Sequence, residues 1–240
     1  MESEIFTQHI SRKFNSELEH LRTQVSNMGG LVERQLAQAI EAIVSGDSEL
    51  GLSVARRDVE VNHFEVAIDE ECSRLLATRA PAAADLRLIV AVIKAITDLE
   101  RIGDEAEKIG ILAARLADQA QPADRYKELK SLGRHVQDMV HAALDAFSRL
   151  DAVDALKVVE EDDAVDEEYN IILRQCITLM MEDPRNIRRF MDISWAARAL
   201  ERIGDHAKNL SEYVIYLVHG KDIRHTEIEK VRVQLEQGDD

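Results

Sequence analysis

Four pairs of side chains, each spaced four residues apart, are the residues of this sequence best suited to chemistry. Residues four apart on an α-helix lie one above the other on the same face, so each pair would present its oxygen atoms together. Adjacent carboxylates repel each other, and a hard cation relieves that repulsion because it prefers oxygen ligands. The pairs are Asp58 and Asn62, Glu100 and Asp104, Asp162 and Asp166, and Glu201 and Asp205. They predict sites for divalent or trivalent metal ions (Mg, Mn, Zn or Fe), with the identity of the metal left open.

The four pairs belong to two copies of one pattern. The hexapeptide Leu-Glu-Arg-Ile-Gly-Asp ends at Asp104 and recurs ending at Asp205, 101 residues later. Upstream, Asp162 follows Asp58 by 104 residues, and a cysteine and a leucine after each of them keep the same offset. This period is too long for a solenoid repeat, so it indicates duplication of a whole helical bundle.

The composition favours helices throughout the chain. Ten glycines and three prolines in 240 residues leave few turns, and an aromatic content of 4% argues against a sandwich or barrel. Apolar residues recur at intervals of three and four. The pattern predicts an all-α fold of two tandem, pseudo-symmetric three-helix bundles with six long antiparallel helices. The predicted helices span residues 4–45, 48–79, 82–118, 124–149, 152–182 and 185–219.

These helices divide the chain into a first bundle at 1–120, a second at 123–220 and a charged tail at 221–240 that has room for one short helix. Asp47 and Asp151 are predicted to cap the second helix of each bundle. The acidic pairs lie on stripes beside the apolar core positions of the second and third helices. The pairs of one copy should therefore converge, and Gly103 and Gly204 should mark a close approach of helices.

The formal net charge of −16 argues against a nucleic-acid binder, because such proteins need clustered Lys and Arg. It also disfavours an anionic membrane surface, and no segment has the apolar length of a membrane span. The N-terminal residues do not have the pattern of a signal peptide, so we expect a cytoplasmic protein. Cys72 and Cys176 are expected to be buried thiols. Trp195 is expected in the core.

The acidic motifs also have an alternative interpretation without metal, as ordinary ion pairs on one helix. Asp104 with Lys108, and Asp205 with Lys208, have the spacing for such pairs. A further alternative is a di-iron bundle, which uses two Glu-x-x-His motifs. The two matches are Glu17 with His20 and Glu60 with His63. We interpret both as chance, because the second copy has Ala164 and Glu167 in place of Glu60 and His63. No pattern in the sequence favours catalysis.

The motif Asp-x-x-Val-Asp/Asn followed by Leu-Glu-Arg-Ile-Gly-Asp, present twice, closely resembles the PhoU family of bacterial phosphate-uptake regulators. The first residues, with His9, Phe14, Leu18 and Leu21, are also similar. The resemblance implies a cytoplasmic, usually dimeric regulator without enzymatic activity. Such regulators are thought to bridge the ATPase-driven phosphate ABC transporter and a sensor histidine kinase. They hold the phosphate regulon off when phosphate is plentiful.

The family's acidic motif is associated with metal ions, and the resemblance places that role on the third helix of each copy, with companions on the second. By position the ligands would be Glu100, Asp104, Glu201 and Asp205, with Asp58 and Asp162 beside them. Asn62 departs from Asp166 of the second copy and is expected to weaken the first site. Two alternatives stay open: a carboxylate-bundle metalloprotein for metal storage or di-iron chemistry, and a metal-free helical scaffold.

Overall fold

The computed structural model describes residues 12–81, 83–117 and 127–224, together with 226, 228 and 230–232. Six long α-helices and one turn of 3₁₀ helix, Pro184–Asn186, account for nearly all of it, and this part of the chain contains no β-strand. The predicted all-α fold is therefore confirmed. The helices are α1 (Arg12–Ser45), α2 (Ser48–Arg79), α3 (Ala83–Ala117), α4 (Lys127–Arg149), α5 (Ala152–Glu182) and α6 (Ile187–His219).

The helix boundaries follow from local capping chemistry. Asp47 accepts a hydrogen bond from the backbone N–H of Leu50 at 2.9 Å, which caps α2. Asp151 caps α5 in the same way, accepting from two backbone N–H groups. Both predicted caps are confirmed. At the end of α6, Gly220 adopts a positive φ of 70°, and its N–H donates to the Tyr216 carbonyl.

The predicted helix ends agree with the structure within a few residues wherever it describes them. The expected first helical residues of the first and fourth helices, 4–11 and 124–126, lie outside the described residues, as does residue 118. In the tail, Ile228 and residues 230–232 are helical, which agrees with the short helix expected there.

Two antiparallel helices, α3 and α6, form the centre of the molecule. Helices α1 and α2 pack on α3, α4 and α5 pack on α6, and α1 also contacts α4. One continuous hydrophobic core therefore runs through both copies. Hydrogen bonds to Asp98 from His206, Asn209 and Tyr213 cross the central pair. Neighbouring acidic motifs on α2 and α3, and on α5 and α6, come to lie side by side.

Glycines let α2 and α3 approach each other unusually closely. A Cβ added at Gly110 would lie 2.5 Å from the backbone oxygen of Gly51, and one at Gly51 would lie 2.4 Å from that of Gly110. Farther along the same contact, a Cβ at Gly103 would lie 2.9 Å from Asp58 Oδ1. At the equivalent place in the second copy, Gly204 packs against Val165. The predicted close approach of helices at Gly103 and Gly204 is confirmed.

Replacing Gly110 by alanine should destabilise the protein, because the new methyl group meets backbone that cannot move aside. We expect Gly110→Ala to lower the free energy of unfolding by about 3 kcal/mol, measured by urea denaturation. Gly30→Ala is the matched control, because its Cβ makes only an ordinary contact with Arg34 at 3.5 Å. The control should be neutral or more stable by up to about 1 kcal/mol. Equal stability of the two variants would contradict the close contact.

Candidate metal centre

The first copy brings its acidic residues together around Asp58, a buried carboxylate on α2. Gln35 Nε2 donates to Asp58 Oδ1 and Asn62 Nδ2 donates to Asp58 Oδ2, each at 3.1 Å. Asn62, predicted as an oxygen ligand, thus uses its nitrogen to hold Asp58. Its own oxygen, Asn62 Oδ1, is buried without a hydrogen-bond partner, as is Gln35 Oε1. Two orphaned acceptor oxygens beside a buried carboxylate are the kind of environment that a cation would satisfy.

Three carboxylates meet at this point: Asp58, Asp104 and Glu107. Each offers one oxygen, and these oxygens lie within 4.8 Å of one another. Glu107 was not among the predicted ligands. It lies three residues after Asp104, on the same face of α3, and that spacing was its only signal in the sequence. The comparison of the two copies did not reveal Glu107, because it considered acidic residues shared by both copies and Lys208 occupies the equivalent position in α6.

Glu100, the predicted partner of Asp104, lies one turn earlier on α3 and is not one of the three converging carboxylates. Burial raises its pKa, and the charges of Asp104 and Glu65 raise it further. Arg101 Nε lies 3.6 Å from its carboxylate. Glu100 therefore adds negative potential at the edge of the site.

The carboxylates of this group repel one another in a partly desolvated place. Burial raises the pKa of Asp58, and the charge of Asp104 adds to the effect. Burial also raises the pKa of Glu107, followed by the charges of Asp58 and Asp104. A bound cation would reverse both effects, because it favours the ionised carboxylates. The geometry and the electrostatics of the first copy therefore fit a metal ion.

The donor set indicates which metals fit. The three converging side chains offer only carboxylate oxygens, which suit Mg²⁺, Mn²⁺ and iron. The group contains neither His nor Cys, the ligands that zinc prefers in structural sites. Three protein ligands would leave coordination positions for water or for an anionic group of another molecule.

The second copy neutralises its acidic residues with side chains of the protein itself. Lys208 Nζ lies 2.5 Å from Oδ2 of the buried Asp162. Glu201 is buried and pairs with Arg198, although its Oε2 is buried without a partner. The remaining predicted ligands, Asp166 and Asp205, are exposed. Among the described residues, only the first copy brings three metal-ligating side chains within reach of one ion.

The structure shows a difference between the two copies that the sequence comparison did not consider. The sequence comparison placed the weaker site in the first copy, because Asn62 there replaces the carboxylate of Asp166. In the structure Glu107 supplies a third carboxylate to the first copy. Its counterpart in the second copy is Lys208, a cation bound to Asp162.

The predicted alternatives to a metal site have different outcomes. Lys108 donates to Glu105 at 3.0 Å, so it forms an ion pair with a different acid from the predicted one. Glu17 of the first Glu-x-x-His match binds Arg79 at 2.8 Å, and Glu60 and His63 of the second are both exposed. Neither match contributes to the converging carboxylates. The prediction that Trp195 belongs to the core is wrong, because 50% of its surface is exposed.

Fold and site define a duplicated three-helix bundle with a carboxylate-rich centre between its second and third helices. The family model described as PhoU domain matches this chain twice, at residues 25–113 and 129–214. Both matches lie inside the predicted units 1–120 and 123–220, whose outer bounds stay a prediction. The chain belongs to the PhoU family.

Curated relatives match nearly the whole chain. The phosphate-specific transport system accessory protein PhoU homolog of Pseudomonas aeruginosa is 50% identical over 96% of this chain and 95% of its own length. The accessory protein PhoU of Escherichia coli is 48% identical over 94% of this chain and 93% of its own length.

Solved structures have the same fold. The crystal structure of PhoU from Pseudomonas aeruginosa has a TM-score of 0.84 and 51% identity, covering 87% of this chain and 100% of that one. The phosphate transport system regulatory protein PhoU from Streptococcus pneumoniae has a TM-score of 0.80 and 28% identity, covering 87% and 98%.

The buried Glu201 should make stability depend on pH. Burial, with the charge of Asp205, raises its pKa from 4.5 to about 7. Because the folded-state pKa is the higher one, Glu201 favours folding most below pH 4.5, and that contribution is lost as the pH rises towards 7. Glu201→Gln removes this titration.

The measurement is urea denaturation of metal-free protein from pH 4.5 to 8. The free energy of unfolding of the wild type, minus that of Glu201→Gln, should fall by up to about 3 kcal/mol across this range. Glu41→Gln, at an exposed glutamate of α1, is the control and should show no such change. A flat difference for Glu201→Gln would contradict the raised pKa.

Proposed function

We propose that this chain is an accessory protein of a phosphate transport system and a negative regulator of phosphate uptake. The observation that carries the proposal is the match of two PhoU domains together with relatives of about half-identical sequence that bear that name. The relatives are named as accessory and regulatory proteins, which confirms the prediction that the chain is not an enzyme.

The proposed mode of action is that of an adaptor in the cytoplasm. It binds the ATPase of the phosphate ABC transporter and the sensor histidine kinase of the phosphate regulon, and so transmits phosphate sufficiency from one to the other. None of the described helices is long and apolar enough to cross a bilayer. Docking to membrane-bound partners would therefore use protein surfaces, and the net charge of −16 makes nucleic acid an unsuitable partner.

Metal ions are part of the proposal. In the first copy Asp58, Asp104 and Glu107 would hold the ion, with Glu100 adding negative potential beside them. In the second copy the acids Asp162, Asp166, Glu201 and Asp205 would bind metal only where it displaces Lys208 from Asp162. The ion would supply a positive charge between α2 and α3 and an electrophilic position for an acidic group of a partner.

Removing a carboxylate of the first copy should weaken metal binding. We expect Glu107→Gln and Asp104→Asn each to lower the affinity of metal-free protein for Mn²⁺ by roughly tenfold or more, measured by isothermal titration calorimetry. Lys208→Glu should instead raise the number of Mn²⁺ ions bound per chain, because it recreates the position of Glu107 in the second copy. Glu41→Gln is the control, and unchanged binding in all variants would show that the carboxylates do not bind metal.

Deleting the gene should derepress the phosphate regulon. We expect several-fold higher alkaline phosphatase activity in phosphate-rich medium, because the kinase would no longer receive the sufficiency signal. The gene for the wild-type chain, or for Gly30→Ala, should restore repression when supplied on a plasmid. Normal repression in the deletion strain would overturn the regulatory role and leave the metal-free scaffold or the metalloprotein as the better explanation.

A homodimer is also proposed, and the outer face of α2 is the surface that suits it. Leu52, Val59 and Val66 are exposed at seven-residue intervals, by 38%, 52% and 57%. Arg56 and Glu70 lie on the same face toward opposite ends of this stripe. Antiparallel pairing with a second copy would therefore set basic against acidic residues at both ends.

Val59→Glu should disrupt that dimer, because it places a charge inside the apolar stripe that the second copy would cover. The measurement is sedimentation equilibrium at several concentrations. The control Val153→Glu changes an exposed valine of α5 and should leave the mass unchanged. A wild-type monomer at all concentrations, or a dimer that survives Val59→Glu, would contradict this interface.

A further inference from the structure

The only tryptophan of the chain, Trp195, lies half exposed in a groove between α3 and α6. The groove has a volume of about 360 Å³, and Ile111 and Leu112 supply apolar wall on its α3 side. An exposed tryptophan leaves a large apolar surface in water, and tryptophan is the residue type most enriched at the centres of protein interfaces. The Trp195 groove therefore has an apolar centre that the chain does not cover.

Four cationic side chains surround this apolar centre: Lys108, Arg115, Arg198 and Arg202. Their side chains are between 40% and 53% exposed, whereas the acids that they contact lie beneath them and are nearly inaccessible. Those buried acids are Glu105, Asp192 and Glu201, with side-chain exposures of 4%, 4% and 8%. The groove consequently shows cations to the solvent on a chain whose net charge is −16.

The buried acids also hold the cations in place before any partner arrives. Glu105 Oε1 accepts from Arg202 at 2.6 Å and from Lys108 at 3.0 Å. A side chain that is already ordered loses little conformational entropy when it binds, so such a groove can bind with modest contact area. The arrangement is that of a preformed binding surface with a positive rim.

The opposite face of the central helix pair, related to the Trp195 groove by the duplication, has different side chains at the matching positions. Lys94 stands at the position that matches Trp195, and its Nζ lies 5.6 Å and 5.8 Å from the ring centres of Tyr213 and Tyr216. These two tyrosines match Leu112 and Arg115 of the Trp195 groove. On one face Lys94 thus contacts two tyrosines of the chain, whereas on the other Trp195 is half exposed.

We propose that the Trp195 groove is a docking site for an acidic segment of a partner protein, with an apolar side chain of that segment packed against Trp195. Charge complementarity favours this occupant, because Asp and Glu side chains would meet the positive rim. A second copy of this chain would place a surface of high net negative charge in the same groove, and its binding is one outcome of the test. This inference deepens the proposed adaptor role and rests on it for the biological partner.

The test uses the intrinsic fluorescence of Trp195 in the full-length protein. The probe is a synthetic peptide of twelve residues that alternates Glu with Ser and carries one central Phe. Its controls replace every Glu by Lys, or the Phe by Ser. We expect the acidic peptide to give a saturable blue shift that weakens as salt is raised, because both packing and charge contribute. The Lys peptide should give none, and the peptide without Phe should bind more weakly.

Variants distinguish the effect of the cations around the groove from the effect of the overall charge of the protein. Lys108→Gln combined with Arg115→Gln should raise the Kd for the acidic peptide about tenfold. Glu105 remains paired with Arg202 in this variant. Lys127→Gln combined with Lys130→Gln removes the same charge from exposed positions of α4 and is the matched control.

Three results would overturn the proposal. The first is an acidic peptide that causes no saturable shift, and the second is an equal loss of affinity in the control variant. The third is a Trp195 blue shift that grows with protein concentration alone, which would make the groove an interface between copies of this chain. Each can occur while deletion of the gene still derepresses the regulon, so the groove can fail without the adaptor role failing.

Discussion

The contact between α2 and α3 is the constraint on which the site depends. Gly51 and Gly110 bring the two backbones so close that a Cβ on either would collide with the other's carbonyl oxygen. The same close approach places Asp58 directly over Gly103, so a carboxylate enters an interface that would otherwise be apolar. A buried carboxylate needs donors or a cation to replace the water that it loses on burial. Gln35 and Asn62 provide two donors, and Asp104 and Glu107 add more negative charge than these neutral groups can balance.

The two copies differ in how the charge of the buried aspartate is balanced. In the second copy Lys208 brings an ammonium group to Asp162, so the buried charge is paired by another side chain of the protein. In the first copy an acid, Glu107, stands at the same place, and burial together with neighbouring charges raises the pKa of both Asp58 and Glu107. An ion pair within the chain is permanent, whereas a bound ion responds to its concentration. The metal ion proposed for the first copy would make the contact between α2 and α3 sensitive to metal concentration, whereas the ion pair of Lys208 with Asp162 would not.

Much of the fold could be predicted because its signals are local. Three- and four-residue periodicity, two capping aspartates and the duplicated hexapeptide ending at Asp104 and Asp205 were enough for six helices and their division into two bundles. The contact between α3 and α6 was not among the predictions. The site was harder, because the search relied on residues that the two copies share. Glu107 has a lysine as its counterpart and therefore escaped, and the amide nitrogen of Asn62, rather than its oxygen, turned out to face Asp58. Side-chain orientation of this kind depends on tertiary contacts that periodicity does not encode.

The exposure of Trp195 was also beyond prediction from periodicity, because it too depends on tertiary contacts. An aromatic residue inside an amphipathic helix is usually buried, and the composition offered no reason to treat this one differently. Its exposure arises because α3 presents Leu112 and Arg115 beside it, whereas α6 presents Tyr213 and Tyr216 to Lys94 at the matching place. The side chains at these matching positions therefore differ between the two faces of the central pair. Buried acids under an exposed cationic rim are costly to maintain for stability alone, since a desolvated ion pair contributes little to folding. The proposed acidic partner would contact these cations directly and so add an interaction that folding alone does not supply.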